Sequence, residues 1–440
     1  MPLTDVTGTA RHPGALLVRA MGIWALAASV VNVTIGGSIF ALPGTLASSM
    51  GSAAPLAFIL GAALFIPIAL CFAAAGSRIS GSGGPYRYVE SAFGRFPGIA
   101  VATIFWVSSA AGGSSIAAAL ADQLQHLVPA LHESTARAAL IVSIYASLVA
   151  LNAWGVRAGA VAVIAFAVAK VIPLLMLTLA GAAFVELNQL RIPHLPNWST
   201  TGNALVLVVF AYSGLETALA PSGEVMSPDK VVPRGTLLGV AVVIALYVGL
   251  QVVAQGVLGS ALPGNAAPLV AVADRILPTV GGWLVVLTAT VSLFGCLQGD
   301  LLGSSRLLYA LAEDGFLPSP LARITTSRRV PLAAIVLHAV VACGLAIAGN
   351  FTALALMSGG AYSLVYISCC AAAWQLQRTD AGESAAPLKL WGGPLIPTIA
   401  VTGLLLVLST LQRSEWMAIA AALAAVTALY GATQLAKRRR

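Results

Sequence analysis

Two apolar segments of the chain are each interrupted by small residues. The first contains Thr34-Ile35-Gly36-Gly37-Ser38-Ile39-Phe40, and the second contains Phe210-Ala211-Tyr212-Ser213-Gly214-Leu215. A glycine inside a helix costs about 1 kcal/mol relative to alanine, so both sequences weaken a helix locally. One such cluster would more often indicate close packing between membrane helices. Two clusters, five apolar segments apart, instead predict two helices that are broken near the middle of a membrane.

The composition of the chain is that of a membrane protein. Of its 440 residues, 59% are apolar and only 9% are charged, compared with about 25% in a typical soluble domain. Apolar stretches of roughly 20 residues, the length that crosses a hydrocarbon core of about 30 Å, recur from end to end. We therefore predict an all-α polytopic membrane protein with twelve spans. The predicted spans are residues 20–45, 53–75, 98–120, 137–153, 158–181, 203–222, 235–258, 281–311, 331–348, 352–374, 394–411 and 416–436.

The basic residues predict the orientation of the chain. If the N-terminus is cytoplasmic, 18 of the 23 Lys and Arg residues lie on the cytoplasmic side, four lie outside, and Lys170 lies within a span. This excess places both termini in the cytoplasm by the positive-inside rule, with the protein in the cell membrane. The net charge of +8 does not indicate nucleic-acid binding, because the basic residues lie singly between apolar spans. The five cysteines form no CxxC pair, so we expect no disulfide framework, metal site or cofactor.

Interrupted helices at corresponding positions of two halves are typical of the binding site of a secondary transporter. Because each half contains five helices, an odd number, the second half must be inverted relative to the first. Unpaired N–H groups at the start of a half-helix attract a carboxylate, and unpaired carbonyls accept from an ammonium; an α-amino acid carries both groups. The predicted regions are a cytoplasmic tail (1–19), two five-helix repeats (20–181 and 203–374), helices eleven and twelve (394–436) and a basic cytoplasmic tail (437–440).

Five motifs over residues 20 to 331 resemble those of the amino acid–polyamine–organocation (APC) transporters, which have the LeuT-type inverted-repeat fold. They occur in the family's order, and spans eleven and twelve match only by count and hydropathy. The motifs are Thr34 to Phe40 with Leu42-Pro43-Gly44, Ser80 to Tyr88 through Phe93-Gly94, Asn152 with Gly155-Val156-Arg157, Phe210 to Glu216 with Glu224 and Pro228 to Arg234, and Ser305 to Ala310 through Asp314 to Pro318.

The resemblance implies a binding site for the two ends of an amino acid. The substrate carboxylate would meet N–H groups of the first break, and its amino group would meet carbonyls of the second break. Gly113, in the third span, would lie beside the substrate. The carboxylate site comprises Ile35, Gly36, Gly37, Ser38 and Ile39, and the amino site comprises Phe210, Ala211 and Ser213 together with Tyr212 and Gly214.

Lys170 is an ionisable residue in the middle of the fifth predicted span. A charged side chain there costs about 2.5–3.5 kcal/mol on insertion scales. Both membrane interfaces are roughly 16–20 Å away, too far for the alternative, in which the side chain reaches an interface. The family resemblance implies that Lys170 occupies the place of a sodium ion, contacting a carbonyl at or next to Gly36 and a hydroxyl of Ser304 or Ser305. We therefore expect a coupling role without sodium.

Asp300, in the eighth predicted span, departs from the family pattern. The segment resembles span eight of the bacterial arginine/agmatine exchangers and the heteromeric L-type transporters. These usually have an aromatic or small residue at the position of Asp300, near the substrate side chain, and an Asn at the position of Gln298. Three interpretations of Asp300 remain open: it binds the distal cation of a basic amino acid or diamine, it relays protons, or it pairs with Lys170. His338, in the ninth span, is interpreted as a histidine of helix packing.

These features predict a secondary active transporter of amino acids that is proton-linked or an exchanger. The alternative is a transporter or antiporter of polyamines or organic cations, with Asp300 binding the distal cation. A channel would need a continuous polar pore lining, and an enzyme would need a converging nucleophile, base or metal set; the sequence contains neither. The expected partners are an amino acid or related amine, protons and the lipid bilayer, and not nucleic acid.

Overall fold

The computed structural model describes residues 21–411 except 80, 82, 126–132, 154–155, 279, 326–329 and 383–385, together with residues 413, 416, 417 and 424. The predicted tails (1–19 and 437–440), nearly all of the predicted twelfth span (416–436) and Gly155 lie outside the described residues. The described chain forms fifteen α-helices joined by short connections. They are α1 (Ile23–Thr34), α2 (Ser38–Met50), α3 (Ala54–Arg78), α4 (Pro85–Phe93), α5 (Arg95–Gln125), α6 (Ser134–Ala153), α7 (Val156–Ala182), α8 (Trp198–Tyr212), α9 (Leu215–Ala218), α10 (Pro228–Leu258), α11 (Pro268–Ile276), α12 (Gly281–Glu313), α13 (Leu332–Ala348), α14 (Phe351–Arg378) and α15 (Leu395–Leu408).

Seven helical segments in the described part of the chain are long and apolar enough to cross a membrane. One of them runs from α2 through α3, and the others are formed by α5, α6, α7, α10, α12 and α14. The helices α1, α13 and α15 are shorter but equally apolar. The all-α, multi-pass membrane architecture predicted from composition is therefore confirmed. Two short helices between spans, α4 and α11, were not among the predicted elements.

Both predicted interruptions are present. Residues Ile35 to Gly37 separate α1 from α2, and Ser213 and Gly214 separate α8 from α9. Gly214 has φ = 131°, a conformation that side-chain-bearing residues rarely adopt. A β-carbon at this position would lie only 2.8 Å from the backbone nitrogen of Thr34. The second break therefore requires glycine for its backbone conformation and for its contact with the first helix.

The two ends of the helical bundle are distinguished by their connections. The Met21 face contains Met21, Arg87 and Asp314, and here the N–H of Met226 donates to the Met21 carbonyl at 3.0 Å. The Asn265 face contains Ser48, Asn265 and Phe351. On this face the N–H of Gly264 donates to the Ser48 hydroxyl at 2.6 Å, which ties the connection after α10 to α2.

On the Met21 face, Asp314 joins α4 and α5 to the end of α12. The Tyr86 hydroxyl donates to the Asp314 carboxylate at 2.6 Å, and Arg87 lies 3.4 Å from the same carboxylate. Arg95 donates to the Asp314 carbonyl at 2.9 Å. Burial, reinforced by the hydrogen bond to Asp314, raises the pKa of Tyr86, so its hydroxyl remains a donor at physiological pH.

We expect Asp314→Ala to lower the free energy of unfolding by about 1–3 kcal/mol, because buried Tyr86 loses the nearer of its two carboxylate acceptors, the other being Glu90, and Arg87 loses an ionic partner. The midpoint of thermal unfolding in detergent measures this effect. The matched control is Glu313→Ala, which removes a neighbouring exposed carboxylate whose hydrogen bond comes from the partly buried Tyr309. Equal destabilisation by the two variants would contradict a specific role for Asp314.

Candidate functional site

The first break presents backbone N–H groups at the start of α2. Those of Gly37, Ser38 and Ile39 have no acceptor within the described residues. They lie at the positive end of the helix dipole, where an anion is favoured. The N–H of Gly36 is different, because it donates to the Thr34 carbonyl at 2.8 Å. Of the five residues predicted for the carboxylate site, three therefore have N–H groups free to bind a carboxylate, whereas those of Ile35 and Gly36 are occupied.

Lys170 closes the other side of this break. Its side chain is 0% exposed, and Nζ donates to the carbonyls of Asn32 at 3.0 Å, Ile35 at 2.8 Å and Ser292 at 3.0 Å. An ammonium has three protons, so all of them are used. Lys170 thus joins α7 to the end of α1 and to α12. The predicted contact with the first break is made through Ile35, the neighbour of Gly36.

The predicted contact of Lys170 with Ser304 or Ser305 is wrong. The partner on α12 is the carbonyl of Ser292, whose hydroxyl also donates to the Ile35 carbonyl at 2.9 Å. Ser304 lies twelve residues farther along α12, roughly 18 Å at 1.5 Å per residue, and contacts Ser109 and Asp300 instead. Ser305 donates to the Leu302 carbonyl of its own helix at 3.0 Å.

The second break presents carbonyls. Those of Ala211, Tyr212 and Ser213 accept no hydrogen bond from the described residues, whereas the Phe210 carbonyl accepts from the N–H and the hydroxyl of Ser213. Of the three predicted acceptors, Ala211 and Ser213 are therefore available and Phe210 is occupied. The Tyr212 side chain faces away from the break, since its hydroxyl donates to the Phe58 carbonyl at 3.2 Å.

Glu216 lies in the first turn of α9, just after the second break, and is fully buried. Its carboxylate accepts from the N–H of Gly214 at 2.8 Å and from the Tyr366 hydroxyl at 2.8 Å. These two bonds hold the carboxylate against the break and fix the turn at Gly214. This local role of Glu216 was not predicted from the sequence.

A cavity of about 340 Å³ leads from the Asn265 face to the first break, where it reaches Gly37. Its volume lies within the range of small-molecule sites, about 300–1,000 Å³. The surrounding helices approach closely here: a β-carbon on Gly36 would lie 2.8 Å from Cys296 Sγ, and one on Gly112 would lie 2.9 Å from Ser358 Oγ. Further residues that line the cavity include Phe40, Thr45, Asp122, Asn265, Leu293 and Phe351.

Asp300 does not pair with Lys170, which corrects one of its three predicted interpretations. The Asp300 side chain contacts the hydroxyls of Ser109 and Ser304, and Oδ2 lies 3.2 Å from Nε2 of His338. Pairing with His338 was missed, because nothing in the apolar sequence of α13 indicates which face meets α12. The backbone of Gly113 lies directly against Asp300, since a β-carbon there would be 2.6 Å from Oδ2.

Gln298 is not directed at the two breaks. Its side-chain amide forms a reciprocal pair with Asn152, with nitrogen-to-oxygen distances of 2.8 Å and 3.3 Å. Both amides are buried, and the pair joins α12 to α6. The predicted substrate contact of Gln298 is therefore replaced by a contact between helices.

These observations define a multi-pass helical membrane protein with two interrupted helices beside a small cavity. The family model of amino acid permeases matches residues 21–433, and the chain belongs to this family. Membership confirms the resemblance to APC transporters inferred from the motifs. It also confirms that the protein is a transporter rather than an enzyme.

Individual relatives are similar over most of their length. The serine/threonine exchanger SteT of Bacillus subtilis is 26% identical over 418 residues, covering 91% of this chain and 93% of that protein. The branched-chain amino acid permease BcaP of Lactococcus lactis is 24% identical over 401 residues, covering 86% of each. A putative arginine/ornithine antiporter of Bacillus subtilis is 27% identical over 356 residues, covering 72% of this chain and 75% of that protein.

Proposed function

We propose that this protein transports an α-amino acid across the cell membrane without sodium, by proton symport or exchange. The observation that carries the proposal is that the N–H groups of Gly37, Ser38 and Ile39 and the carbonyls of Ala211 and Ser213 have no hydrogen-bond partners among the described residues. The two breaks are adjacent, because Gly214 packs against Thr34. A zwitterion with both charges near one carbon complements this arrangement.

The proposed fold has twelve spans, with the first five helices repeated as an inverted second five. The helix packing supports this repeat. The first span packs on the seventh (α1 on α10), and the sixth packs on the second (α8 on α3). The third packs on the tenth (α5 on α14), and the eighth packs on the fifth (α12 on α7). Spans one to five correspond to spans six to ten in the proposed repeat. Under this correspondence the first contact of each pair maps onto the second, as a pseudo-two-fold axis requires.

The proposed orientation has both termini in the cytoplasm, which is supported by the 18 basic residues on that side of the twelve-span arrangement. In this orientation the Asn265 face is extracellular. The cavity that reaches Gly37 then leads the substrate in from outside. The bonds of Asp314 with Tyr86, Arg87 and Arg95 close the cytoplasmic side.

The sodium-independent mechanism rests on Lys170. The Lys170 ammonium, which donates to three carbonyls at the first break, takes the place that a metal cation would need. The polyamine or organic-cation alternative is less favoured, because Asp300 already contacts Ser109, Ser304 and His338. The relatives are named for serine/threonine, branched-chain and arginine/ornithine substrates, and the longest coverage among these three is with the serine/threonine exchanger.

A binding screen with matched ligands tests the proposal. Each of the twenty amino acids, its methyl ester and its N-acetyl derivative are added to purified protein, and the thermal shift is measured. We expect at least one free amino acid to stabilise the protein, and its ester and N-acetyl derivative to bind at least tenfold more weakly, because each lacks one of the two charges. Equal stabilisation by diamines that have no carboxylate would overturn the proposal, as would uptake that requires a sodium gradient.

A further inference from the structure

The side chains of Asp300 and His338 form a buried pair between α12 and α13, separate from Lys170. His338 is 0% exposed and Asp300 is 7% exposed. Oδ2 of Asp300 lies 3.2 Å from Nε2 of His338, while Oδ1 contacts the hydroxyls of Ser109 and Ser304. Besides His338, the direct side-chain partners of Asp300 are thus two neutral hydroxyls, and the three protons of Lys170 are directed elsewhere.

The charge of this pair depends on a single proton. With an ionised carboxylate and a neutral imidazole, the pair carries one negative charge in the protein interior, and burying such a charge is expensive. One added proton makes the pair electrically neutral, whether it resides on the imidazole or on the carboxyl group. The pair therefore has a strong physical reason to bind one proton.

Protonation also changes the hydrogen bonds that the pair requires. Nδ1 of His338 is buried and has no partner in the described part of the chain. A neutral imidazole that donates from Nε2 leaves Nδ1 as a bare acceptor, whereas an imidazolium turns Nδ1 into a donor that needs an acceptor. Two further buried atoms nearby also lack partners among the described residues, the Tyr145 hydroxyl and Trp106 Nε1. Unpaired buried polar atoms of this kind indicate that another state, or water, satisfies them.

The pair is connected to the proposed substrate site through α5. Gly113 lies against the Asp300 carboxylate, and the adjacent Gly112 lies against Ser358 and the ring of Phe210 at the second break. An amino acid of no net charge cannot compensate an ionised Asp300 one helix away, and by excluding water from the second break it makes that buried charge more costly. Substrate binding therefore favours protonation of the pair, and protonation favours substrate binding to the same extent.

Other ionisable groups surround the pair on the neighbouring helices. Glu216 is the only other carboxylate among them, and it already accepts from Gly214 and Tyr366. Lys170 is held by carbonyls of α1 and α12. The groups are Lys170 on α7, Tyr145 on α6, Glu216 on α9, Tyr362 on α14, Cys296 on α12 and Cys343 on α13.

We propose that the Asp300–His338 pair is the binding site of one proton that is transported together with a neutral amino acid. This inference rests on the proposed function, because it requires an amino acid between the two breaks. The proton enters the pair with the substrate outside and leaves it when the cytoplasmic side opens and the substrate departs. The transporter is accordingly a proton symporter, with the coupling ion bound beside the third, eighth and ninth spans.

Proton uptake during substrate binding tests the inference. Each of the twenty amino acids is added to purified protein in weakly buffered detergent solution with a pH-indicator dye, and binding is measured in parallel by thermal shift. For a neutral amino acid that binds, the wild type should take up as much as one proton per protein. When the affinity of the wild type for this amino acid is plotted against pH, it should fall by up to tenfold per pH unit above the midpoint of the curve. Asp300→Asn should take up none and bind with the same affinity, within twofold, at pH 6 and pH 8.

Three further variants separate a proton site from a structural contact. His338→Gln retains a donor for Asp300 but not the imidazole, so its pH profile should move at least one unit towards acid, since carboxylic acids ordinarily bind protons at lower pH than imidazole. His194→Gln, in an exposed loop, should leave the profile unchanged. Glu313→Gln, at an exposed carboxylate on the same helix as Asp300, should retain proton uptake. Retention of proton uptake in Asp300→Asn while the amino acid still binds would overturn the inference.

The possible failures can be told apart. If no amino acid stabilises the wild type, the proposed function fails and this inference fails with it. If an amino acid binds without proton uptake at any pH between 5 and 9, only the inference fails. If Asp300→Asn does not fold, an unchanged pH profile in His338→Gln is sufficient to overturn it.

Discussion

Gly37→Val is expected to abolish amino acid binding, weakening it at least a hundredfold, while the protein remains folded. The backbone of Gly37 has φ = −76° and ψ = −23°, which valine can adopt, so the substitution does not strain the chain. The added volume enters the cavity that reaches Gly37, and a β-carbon there would collide with the end of the Leu293 side chain. Leu293 also lines the cavity, so either the valine or the displaced leucine occupies the space of the substrate.

Gly36 is a poorer position for this experiment than Gly37. A β-carbon on Gly36 would press on Cys296 Sγ at 2.8 Å and on Ile116 at 3.2 Å, so a substitution there disturbs helix packing as well as binding. The N–H of Gly36 already donates to the Thr34 carbonyl. A loss of binding in a Gly36 variant would therefore say little about substrate recognition.

The matched control for Gly37→Val is Gly344→Val in α13. A β-carbon on Gly344 meets nothing within 4 Å, so this variant reports the effect of valine in a membrane helix alone. Binding is measured by the thermal shift that the amino acid identified in the screen causes in each variant, and folding is measured by size-exclusion chromatography. Unchanged binding in a well-folded Gly37→Val would exclude the first break as the carboxylate site.

Features with a local cause were predictable from the sequence. The two helix breaks follow from Gly36-Gly37 and Ser213-Gly214, because glycine weakens a helix wherever it occurs. Lys170 was recognised because an isolated charge in an apolar span has few ways to be satisfied. Its contact with the first break was implied by the family resemblance, and Nζ makes that contact at the Ile35 carbonyl.

Features that depend on how two helices are rotated and displaced against each other were not predictable. Ser292 and Ser304 both lie on α12, and only the axial position of α12 against α7 decides which of them meets Lys170. The pairing of Asp300 with His338 depends likewise on the rotation of α13, whose sequence is apolar on all sides. Gln298 meets Asn152 for the same reason: its side of α12 faces α6.

Lys170→Met is expected to reduce transport at least tenfold without unfolding the protein. Methionine has a similar length but no donors, so the carbonyls of Asn32, Ile35 and Ser292 lose their ammonium partner. Each lost bond to a charged group is worth about 1.5–3 kcal/mol. Removing a buried charge recovers a large part of this cost, since replacing buried ionic groups by apolar ones is often nearly neutral for stability. The effect should therefore appear in transport more than in folding.

The reason for a transport defect is the position of Lys170 between three helices. Its ammonium holds the end of α1 against α7 and α12, so the first break is fixed relative to the helices around it. Without that bond the break loses the geometry that directs the N–H groups of Gly37, Ser38 and Ile39 at the carboxylate. Uptake of radiolabelled amino acid into proteoliposomes is measured with and without a sodium gradient, with Lys230→Met, an exposed lysine at the start of α10, as the control. We expect Lys230→Met to transport like the wild type, and transport by the wild type to be independent of the sodium gradient. Full transport activity of Lys170→Met would contradict this role and would show that Lys170 only packs between helices.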